Sequence, residues 1–305
     1  MNTDKQFNQL KTLLESKLQF LNDKPEETVE STLKACWFAA AGIPKSAEES
    51  VKLPLIKLNE EQIVDLNRLI ELRLQNIPLA YITGRQSFMG IEFISDKRAL
   101  IPRKETELLG KKALQLSYDL KNEKPFRVMD ICCGAGNLGL AIAHYNTQSE
   151  IYCSDLSEYA IDLTKENIDY LNLNNRVTAI AGDLFGAYKT EDFFGKINMV
   201  ICNPPYISSA KVSKMNIEIS GHEPILAFDG GMFGTKIIQR LIMEAPKFLK
   251  VGGWVLLEVG VGQGDFILRL FEESLYYMET SSLKDNQGNI RVILAKKNRT
   301  LFKEQ

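Results

Sequence analysis

The tetrapeptide Asn203-Pro204-Pro205-Tyr206 carries the residue types best suited to chemistry, and it directly follows a short apolar run, Met199–Cys202. Proline fixes φ and has no N–H, and a residue before proline is held extended. The carbonyl oxygens of Asn203 and Pro204, with the Asn203 side-chain oxygen, therefore remain able to accept hydrogen bonds. These acceptors and the Tyr206 ring suit a planar group that carries an NH2.

Such a turn suits methyl transfer to nitrogen. An amide or exocyclic amine nitrogen is a poor nucleophile because its lone pair is delocalised. Acceptors that hold its hydrogens would aim the lone pair at an electrophilic methyl group, and much of the barrier reduction would come from positioning. The acceptors would also have to strengthen in the transition state.

A glycine-rich loop, Asp130-Ile-Cys-Cys-Gly-Ala-Gly136, closes an earlier predicted strand. Glycines there let the backbone approach a ligand and begin a helix tightly. Asp155 ends the next strand, 155 − 136 = 19 residues later, where an acidic side chain can bind the two hydroxyls of a ribose. Because Gly134, Gly136 and Gly139 spell G-x-G-x-x-G, the loop alone leaves a nicotinamide dehydrogenase open. A dehydrogenase, however, has no evident use for the Asn-Pro-Pro-Tyr turn.

Polar side chains follow three consecutive predicted strands, at Asp155, Asp183 and Asn203. Asp183 could accept a hydrogen bond from an adenine amino group, or it could be a turn aspartate ahead of Leu184. Ligands of open α/β sheets bind at the carboxyl ends of the strands. The shared location is therefore stronger evidence for a site than any one residue.

From about residue 124 onward, strands and helices alternate, which predicts a doubly wound parallel sheet. The predicted strands are Phe126–Ile131, Ile151–Cys153, Val177–Ala181, Met199–Cys202 and Trp254–Leu257, and the predicted helices are 137–145, 157–171 and 235–249. The tail predicts a hairpin of Met278–Leu283 and Ile290–Ala295.

Three segments are predicted: a helical domain at 1–76, a hairpin linker at 77–101 and a catalytic domain at 102–305. Asn59, followed by Glu60-Glu61-Gln62, resembles a capping box. The helical domain is either a simple packing unit or a domain that recognises a macromolecular substrate, and the sequence does not separate the two.

Composition narrows the function classes. The chain has 305 residues, is 45% hydrophobic and carries a net charge of −2, which argues against direct binding of nucleic acid through bulk charge. No apolar run approaches a membrane span. With two histidines, five cysteines and no Cys-x-x-Cys, no metal site is predicted. Reduced cysteines and a polar N-terminus favour a cytoplasmic protein.

Asn203–Tyr206 after a fourth strand, together with Asp130-x-x-x-Gly134-x-Gly136, resembles S-adenosylmethionine-dependent amino methyltransferases. Further stretches resemble the protein N5-glutamine methyltransferases, the HemK/PrmC family. These stretches are Pro78–Gly84 with Phe88-x-Gly90-x-x-Phe93, Leu100–Glu107, His222-Glu223-Pro224 with Gly230-Gly231, and Asp285-x-x-Gly288-x-x-Arg291.

The resemblance implies a Rossmann-like, seven-stranded methyltransferase domain with a small N-terminal helical domain, joined by a β-hairpin. It implies methylation of the glutamine amide in the Gly-Gly-Gln tripeptide of class I peptide chain release factors. It places the glutamine on Asn203, Pro204, Pro205 and Tyr206. It places S-adenosylmethionine on Cys132, Cys133, Gly134, Ala135, Gly136, Asp155, Asp183, Leu184 and Asn203.

Four positions depart from the family pattern. Cys132 stands where the family usually has the first loop glycine, and Lys104 replaces a proline. Phe233 replaces an aspartate, and Leu184 stands where some members have an aromatic residue. These departures leave open a different protein amide or a small molecule as substrate. The Asn-Pro-Pro-Tyr turn also leaves open the N6 of adenine in a nucleic acid, which would have to be flipped out of a duplex.

Overall fold

The computed structural model describes residues 3–120, 125–212 and 217–298. Within these ranges the helices are α1 (Thr3–Glu15), α2 (Val29–Ala40), α3 (Ala47–Ser50), α4 (Glu60–Leu74), α5 (Leu79–Thr83), α6 (Glu107–Asp119), α7 (Asn137–Tyr145), α8 (Glu158–Tyr170), α9 (Ser209–Val212), α10 (Ile217–Ser220), α11 (Lys236–Phe248) and α12 (Gly264–Glu273). The strands are β1 (Arg85–Phe88), β2 (Ile91–Ile94), β3 (Phe126–Ile131), β4 (Ser149–Asp155), β5 (Val177–Ala181), β6 (Ile197–Cys202), β7 (Leu249–Glu258), β8 (Tyr277–Lys284) and β9 (Ile290–Lys297).

The first five helices pack around a core of their own, with Trp37 fully buried at its centre. Helix α2 begins after Thr28, whose side chain accepts a hydrogen bond from the Ser31 N–H. Helix α4 begins after Asn59, which forms the predicted capping box with Gln62. Both caps satisfy N–H groups that a helix terminus leaves unpaired.

The central sheet has seven strands in the order β5-β4-β3-β6-β7-β9-β8. Strands β3 to β7 pair in parallel, and β9 and β8 pair antiparallel at one side. The predicted doubly wound α/β fold, with its C-terminal hairpin, is confirmed. From β3 the chain adds β4 and β5 on one side, and then β6 and β7 on the other, so the strand order reverses between β3 and β6. Sheets of this kind bind ligands at such a reversal point.

Two apolar cores cover the two faces of the sheet. One joins β3 and β4 to helices α6, α7 and α8 through side chains such as Leu109, Leu138 and Ile161. The other joins β6 and β7 to α11 and α12 through side chains such as Ile238 and Ile267. Because both faces are covered, the central strands are apolar along their length, and polar side chains appear only where each strand ends.

The sequence did not predict helix α12 or the short helices α3, α5, α9 and α10. Three glycines, at 260, 262 and 264, come just before or begin α12 and indicate a loop when read alone. The helix nevertheless forms because Ile267 and Phe271 bury one face against the sheet. Among the described residues, no helix is both long and apolar enough to cross a membrane.

Candidate active site

A cleft at the carboxyl ends of the parallel strands encloses about 1110 Å³, open solvent at its mouth included. Eight of the residues predicted for the site line this cleft: Cys132, Cys133, Gly134, Asp155, Asp183, Leu184, Asn203 and Pro205. The topology thus brings the ends of β3, β4, β5 and β6 to one place, as their shared position in the sequence pattern predicted.

Ala135 and Gly136 are not part of this lining. Ala135 is buried against Ala160. Gly136 is the cap of α7 with φ of 81°, and its N–H donates to the Cys133 carbonyl oxygen at 2.8 Å. A Cβ at Gly136 would lie 2.8 Å from the Thr164 methyl group. The structure therefore gives these two residues a role in shaping the loop.

Asp155 holds the loop after β3 in place. Its carboxylate accepts hydrogen bonds of 2.9 Å from the N–H groups of Gly134 and Ser157. Burial raises the pKa of Asp155, while these N–H groups act to lower it. A carboxylate has about four lone-pair sites, so Asp155 keeps acceptor capacity for the hydroxyl groups of a ribose.

Two residues that line the cleft, Cys132 and Leu184, have positive φ angles of 59° and 50°. L-residues other than glycine seldom adopt this left-handed region, and strain of this kind clusters at functional sites. The conformation of Cys132 is one that glycine adopts without this strain. This chain keeps the loop geometry with a cysteine at a cost of about 1–2 kcal/mol.

Asp130, at the end of β3, is fully buried behind the loop. Its Oδ2 atom accepts a hydrogen bond of 2.8 Å from the Gly139 N–H. Its Oδ1 atom is buried without a hydrogen-bond partner among the described residues. Burial raises the pKa of Asp130 to about 7. The carboxyl group therefore ties the end of β3 to the first turn of α7, behind the cleft.

Asp183 lines the cleft but is already engaged at its rim. Its Oδ1 atom accepts a hydrogen bond of 2.9 Å from Arg240 Nη1, and the side chain is more than half exposed. The neighbouring Leu184 is buried. Of the two residues, Leu184 presents the apolar surface that a flat ring would contact.

A second, smaller cleft adjoins the first and is lined by Pro204, Tyr206 and Glu258. Asn203 and Thr106 line both clefts. Within the described part of the chain, neither Asn203 Oδ1 nor the Pro204 carbonyl oxygen accepts a hydrogen bond. The predicted acceptors thus stand at the junction of two clefts, where a substrate nitrogen could meet a methyl donor.

Hydrogen bonds fix the Tyr206 side chain. Its hydroxyl donates to Glu258 Oε1 at 3.0 Å and accepts from Arg291 Nη2 at 3.3 Å. Arg291 also pairs with Glu105 at 2.9 Å. Burial raises the pKa of Tyr206 well above its ordinary value, so the hydroxyl keeps its proton. Arg291 belongs to the motif Asp285-x-x-Gly288-x-x-Arg291, so the fold brings the end of this motif to the Tyr206 hydroxyl.

Two glycines let another loop lie directly against the Asn-Pro-Pro-Tyr turn. A Cβ at Gly230 would lie 2.5 Å from the Pro205 carbonyl oxygen, and one at Gly234 would collide with the Tyr206 carbonyl oxygen. Gln263 Nε2 donates to that same Tyr206 oxygen at 2.9 Å. Phe233, at one of the departing positions, is 78% exposed and makes no part of this contact through its ring.

Ion pairs join the N-terminal region to the segment over the second cleft, directly at Glu218 and through Arg103, which also pairs with Asp23, at Glu223. Glu218 in α10 accepts from Lys24 at 2.6 Å and from Arg73 at 2.9 Å, and all three side chains are buried. Glu223 accepts from Arg103 at 2.5 Å and is likewise buried. The first 75 residues therefore help to hold one wall of the site.

Known proteins resemble this chain in sequence and in fold. A family model described as methyltransferase small domain matches residues 112–219. The release factor glutamine methyltransferase of Clostridium acetobutylicum is 37% identical over 227 residues, which cover 74% of this chain and 77% of the relative. The chain belongs to the release factor glutamine methyltransferase family.

A second relative in the family, from Clostridium botulinum, is 32% identical over 80% of this chain and 84% of its own length. The catalytic domain of hMettl16, solved in complex with the MAT2A 3′UTR hairpin 6, has a TM-score of 0.51 at 14% identity and covers 74% of this chain and 81% of that one. The likeness to hMettl16 shows the fold alone. Methyltransferase activity with S-adenosylmethionine as cofactor is confirmed by the family, and the dehydrogenase alternative is wrong.

S-adenosylmethionine fits the larger cleft. Asp155 can bind the ribose hydroxyl groups, and Leu184 can contact the adenine ring. When bound, the cofactor supplies an activated methyl group, as cofactors carry the reactive chemistry of many enzymes. No cluster of metal-binding side chains is present among residues 3–120, 125–212 and 217–298.

Sequence reasoning missed Glu258 and gave Thr106 and Arg103 no function of their own. Glu258 ends β7 at the same sheet edge as Asn203, so a polar residue after an apolar strand was the available signal. Lys104 was noted only as a departure from the family. It pairs with Glu48 at 2.8 Å and with Glu107 at 2.9 Å, and so links the helical region to α6.

Proposed function

We propose that this enzyme transfers the methyl group of S-adenosylmethionine to the side-chain amide nitrogen of glutamine in the Gly-Gly-Gln tripeptide of class I peptide chain release factors. The relatives that share the fold and most of the chain carry the name release factor glutamine methyltransferase. The observation that carries the proposal is the pair of hydrogen-bond acceptors, Asn203 Oδ1 and the Pro204 carbonyl oxygen, at the junction of the two clefts.

The substrate amide would bind by its NH2 group. Asn203 Oδ1 and the Pro204 carbonyl oxygen accept its two hydrogens, and the Tyr206 ring lies beside its plane. Pro204 and Pro205 keep the turn rigid, so the acceptors need little reorganisation when substrate arrives. The acceptors strengthen as positive charge develops on nitrogen, which is the condition for lowering the barrier.

We propose a division of the chain into three segments that suits this function. Residues 1–76 form a helical domain that recognises the protein substrate, 77–101 form the hairpin linker and 102–305 form the methyltransferase domain. The ion pairs from Lys24 and Arg73 to Glu218 support a link between recognition and the site. Since release factors act in translation, the cytoplasm is the proposed location, and direct contact with nucleic acid is not required.

Radiolabelled S-adenosylmethionine tests the proposal with a purified class I release factor and with the same factor carrying Gln→Ala in Gly-Gly-Gln. Label on the first and not on the second is expected. Asn203→Ala should reduce the rate by about 100-fold or more, by analogy with the loss of one group that stabilises a transition state. Its binding of S-adenosylmethionine should change little, because Pro205 and Asp155 remain.

Asn8→Ala supplies a matched control, because Asn8 is an exposed residue of α1 far from the clefts in sequence and fold. This variant should methylate at the wild-type rate. Failure of the wild-type enzyme to label the release factor, with cofactor binding intact, would contradict the proposed substrate. Label on single-stranded DNA or RNA instead would show that the adenine amino group receives the methyl group.

A further inference from the structure

The Asn203 side chain can work only in one orientation. An amide has an acceptor end and a donor end, and only the Oδ1 end can accept a hydrogen from a substrate NH2. In the structure Nδ2 donates to Thr106 Oγ1 at 3.2 Å, although 97 residues separate the two. Turned over, the amide would present its own NH2 to the NH2 of the substrate. Thr106 is thus the group that decides which end faces the substrate.

The Thr106 hydroxyl needs an acceptor for its own hydrogen, because its oxygen already accepts from Asn203. Thr106 is buried and lines the same cleft as Glu258, and a hydrogen bond from its hydroxyl would lower the pKa of the Glu258 carboxyl. Glu258 Oε2 is buried and accepts no hydrogen bond of good geometry from any residue in the described ranges. Glu258 is therefore an acceptor with unused capacity next to Thr106.

The same carboxyl fixes Tyr206. Arg291 can only donate hydrogen bonds, so the Tyr206 hydroxyl accepts from Arg291 Nη2 and gives its own hydrogen to a carboxylate. Glu258 Oε1, at 3.0 Å, is nearer to that hydroxyl than Glu105 Oε1, at 3.5 Å. A carboxylate can only accept. With Arg291 at one end and Glu258 at the other, the direction of every hydrogen bond in this group is determined.

We propose that Glu258, as a carboxylate, is a positioning residue that fixes the direction of the hydrogen bonds at the substrate amide, through Thr106 to Asn203 and directly to Tyr206. The proposal rests on the proposed function in one respect: Asn203 Oδ1 is taken to hold the NH2 group of an amide. It assigns Thr106 the companion role of keeping the Asn203 oxygen turned toward the substrate.

Ionisation of Glu258 should therefore control the rate. A protonated carboxyl can donate to Thr106, which frees the Thr106 hydroxyl to donate to Asn203 and favours the wrong amide orientation. Burial, and after it the charge of Glu105, raise the pKa of Glu258 to about 7, although Arg291 acts to lower it. The titratable or charged side chains that pair with Glu258 or line the same cleft are Asp23, Arg103, Glu105, Tyr206 and Arg291. Activity should rise with pH through about 7, as the carboxylate forms.

The kinetic test uses Thr106→Val, Thr106→Ser and Glu258→Gln. Removal of a buried hydrogen-bond partner of this kind costs about 1–3 kcal/mol, so Thr106→Val should lower kcat by roughly 10- to 100-fold with unchanged binding of S-adenosylmethionine. Thr106→Ser keeps the hydroxyl and should restore most of the rate. Glu258→Gln should lower kcat and remove the rise in activity near pH 7.

Thr32→Val is the matched control, because Thr32 is also buried and its hydroxyl has no hydrogen-bond partner among the described residues. It should leave kcat and the pH profile unchanged. If Thr106→Ser is as slow as Thr106→Val, or if Glu258→Gln keeps the wild-type rate and profile, the positioning role is wrong.

A second readout needs no substrate. In protein labelled with ¹⁵N at asparagine side chains, the Asn203 NH2 signals, assigned with Asn203→Asp, should shift with pH near 7 in the wild type. They should not shift in Glu258→Gln or Thr106→Val. An Asn203 signal that is insensitive to pH in the wild type would overturn the proposal. If the wild-type enzyme fails to label the release factor while the Asn203 signals titrate as expected, the substrate assignment fails and the positioning role stands.

Discussion

The carboxylate of Glu218 accepts a hydrogen bond of 2.9 Å from Arg73 Nη1, although 145 residues separate them and both side chains are buried. Lys24 Nζ contacts the other carboxylate oxygen at 2.6 Å. Burial acts to raise the pKa of Glu218, but the charges of Lys24 and Arg73 hold it below its ordinary value. The helical region and the segment over the second cleft are thus joined by charges that water does not screen.

Glu218→Gln should destabilise the protein by about 3–5 kcal/mol, because it leaves the buried Lys24 without its carboxylate and Arg73 with Glu27 alone. It should also raise KM for the release factor more than it weakens cofactor binding, since the wall of the second cleft loses its anchor. Thermal unfolding and steady-state kinetics measure both. Asp65→Asn is the control, because the Asp65–Arg68 pair is exposed and worth little. A melting temperature equal to that of the wild type would show that the network carries no stability.

Asp155→Ala should weaken S-adenosylmethionine binding by roughly 10- to 100-fold, as hydrogen bonds to a charged group contribute about 1.5–3 kcal/mol. The variant loses both the ribose contact and the acceptor that holds the Gly134 and Ser157 N–H groups. Isothermal titration calorimetry measures the affinity. Asp183→Ala should have a smaller effect, because Arg240 already engages Asp183 at the rim of the cleft. Equal losses in the two variants would instead assign Asp183 a direct contact with adenine.

Gly234→Ala should reduce methylation strongly, because the added Cβ would displace the Tyr206 carbonyl oxygen and with it the Asn-Pro-Pro-Tyr turn. Overpacking of this kind costs about 1–3 kcal/mol of stability, and the φ of 70° at Gly234 adds strain. The rate of methylation and the melting temperature should both decrease. Gly186→Ala is the matched control, because a Cβ there meets nothing within 4 Å. Wild-type activity in Gly234→Ala would contradict the close approach of the two loops.

Asp130 makes the stability of the protein depend on pH. Burial raises its pKa in the folded state to about 7, above the ordinary value of 3.8. Between these values the unfolded chain loses its proton while the folded one keeps it, so the free energy of unfolding decreases as pH rises from about 4 to about 7. Asp130→Asn should flatten this slope. Urea denaturation at pH 5 and pH 8 measures it, and an unchanged slope would place the pKa of Asp130 near its ordinary value.

Local sequence pattern was sufficient for several elements that are mostly apolar. The bounds of β3 at Phe126–Ile131, β5 at Val177–Ala181 and α7 at Asn137–Tyr145 agree with the prediction. These segments are bounded by glycine or polar residues, so neighbouring residues alone decide where they begin and end. Once these elements were predicted, the position of the carboxyl edge of the sheet and of most of the cleft along it could be predicted too.

Strand β7 shows where local pattern fails. The prediction covered Trp254–Leu257, because Gly252 and Gly253 indicate a turn, whereas the strand runs from Leu249 to Glu258. Gly252 adopts a φ of 77° within the strand. Ending the strand one residue early excluded Glu258 from the site.

The contacts of Thr106, Glu258 and Arg291 could not be predicted because they join residues 52 to 97 positions apart. Sequence periodicity reports which face of an element is apolar, but not which distant side chains meet at the end of a sheet. Glu105 and Glu107 illustrate the difference, since acidic residues at the start of a helix suit the helix dipole whatever else they contact. In the structure Glu105 pairs with Arg291, and Glu107 accepts a hydrogen bond from the Met89 N–H.

The sheet order puts β9 between β7 and β8, so a strand near the C-terminus lies inside the sheet and brings Arg291 to Tyr206. During synthesis at about 5–20 residues per second, the glycine-rich loop and the Asn-Pro-Pro-Tyr turn leave the ribosome well before this strand. The nascent chain can therefore begin to fold early, but its active site is assembled only after β9 has been synthesised. Prematurely terminated chains would lack Arg291 and remain inactive, even with every cofactor-binding residue in place.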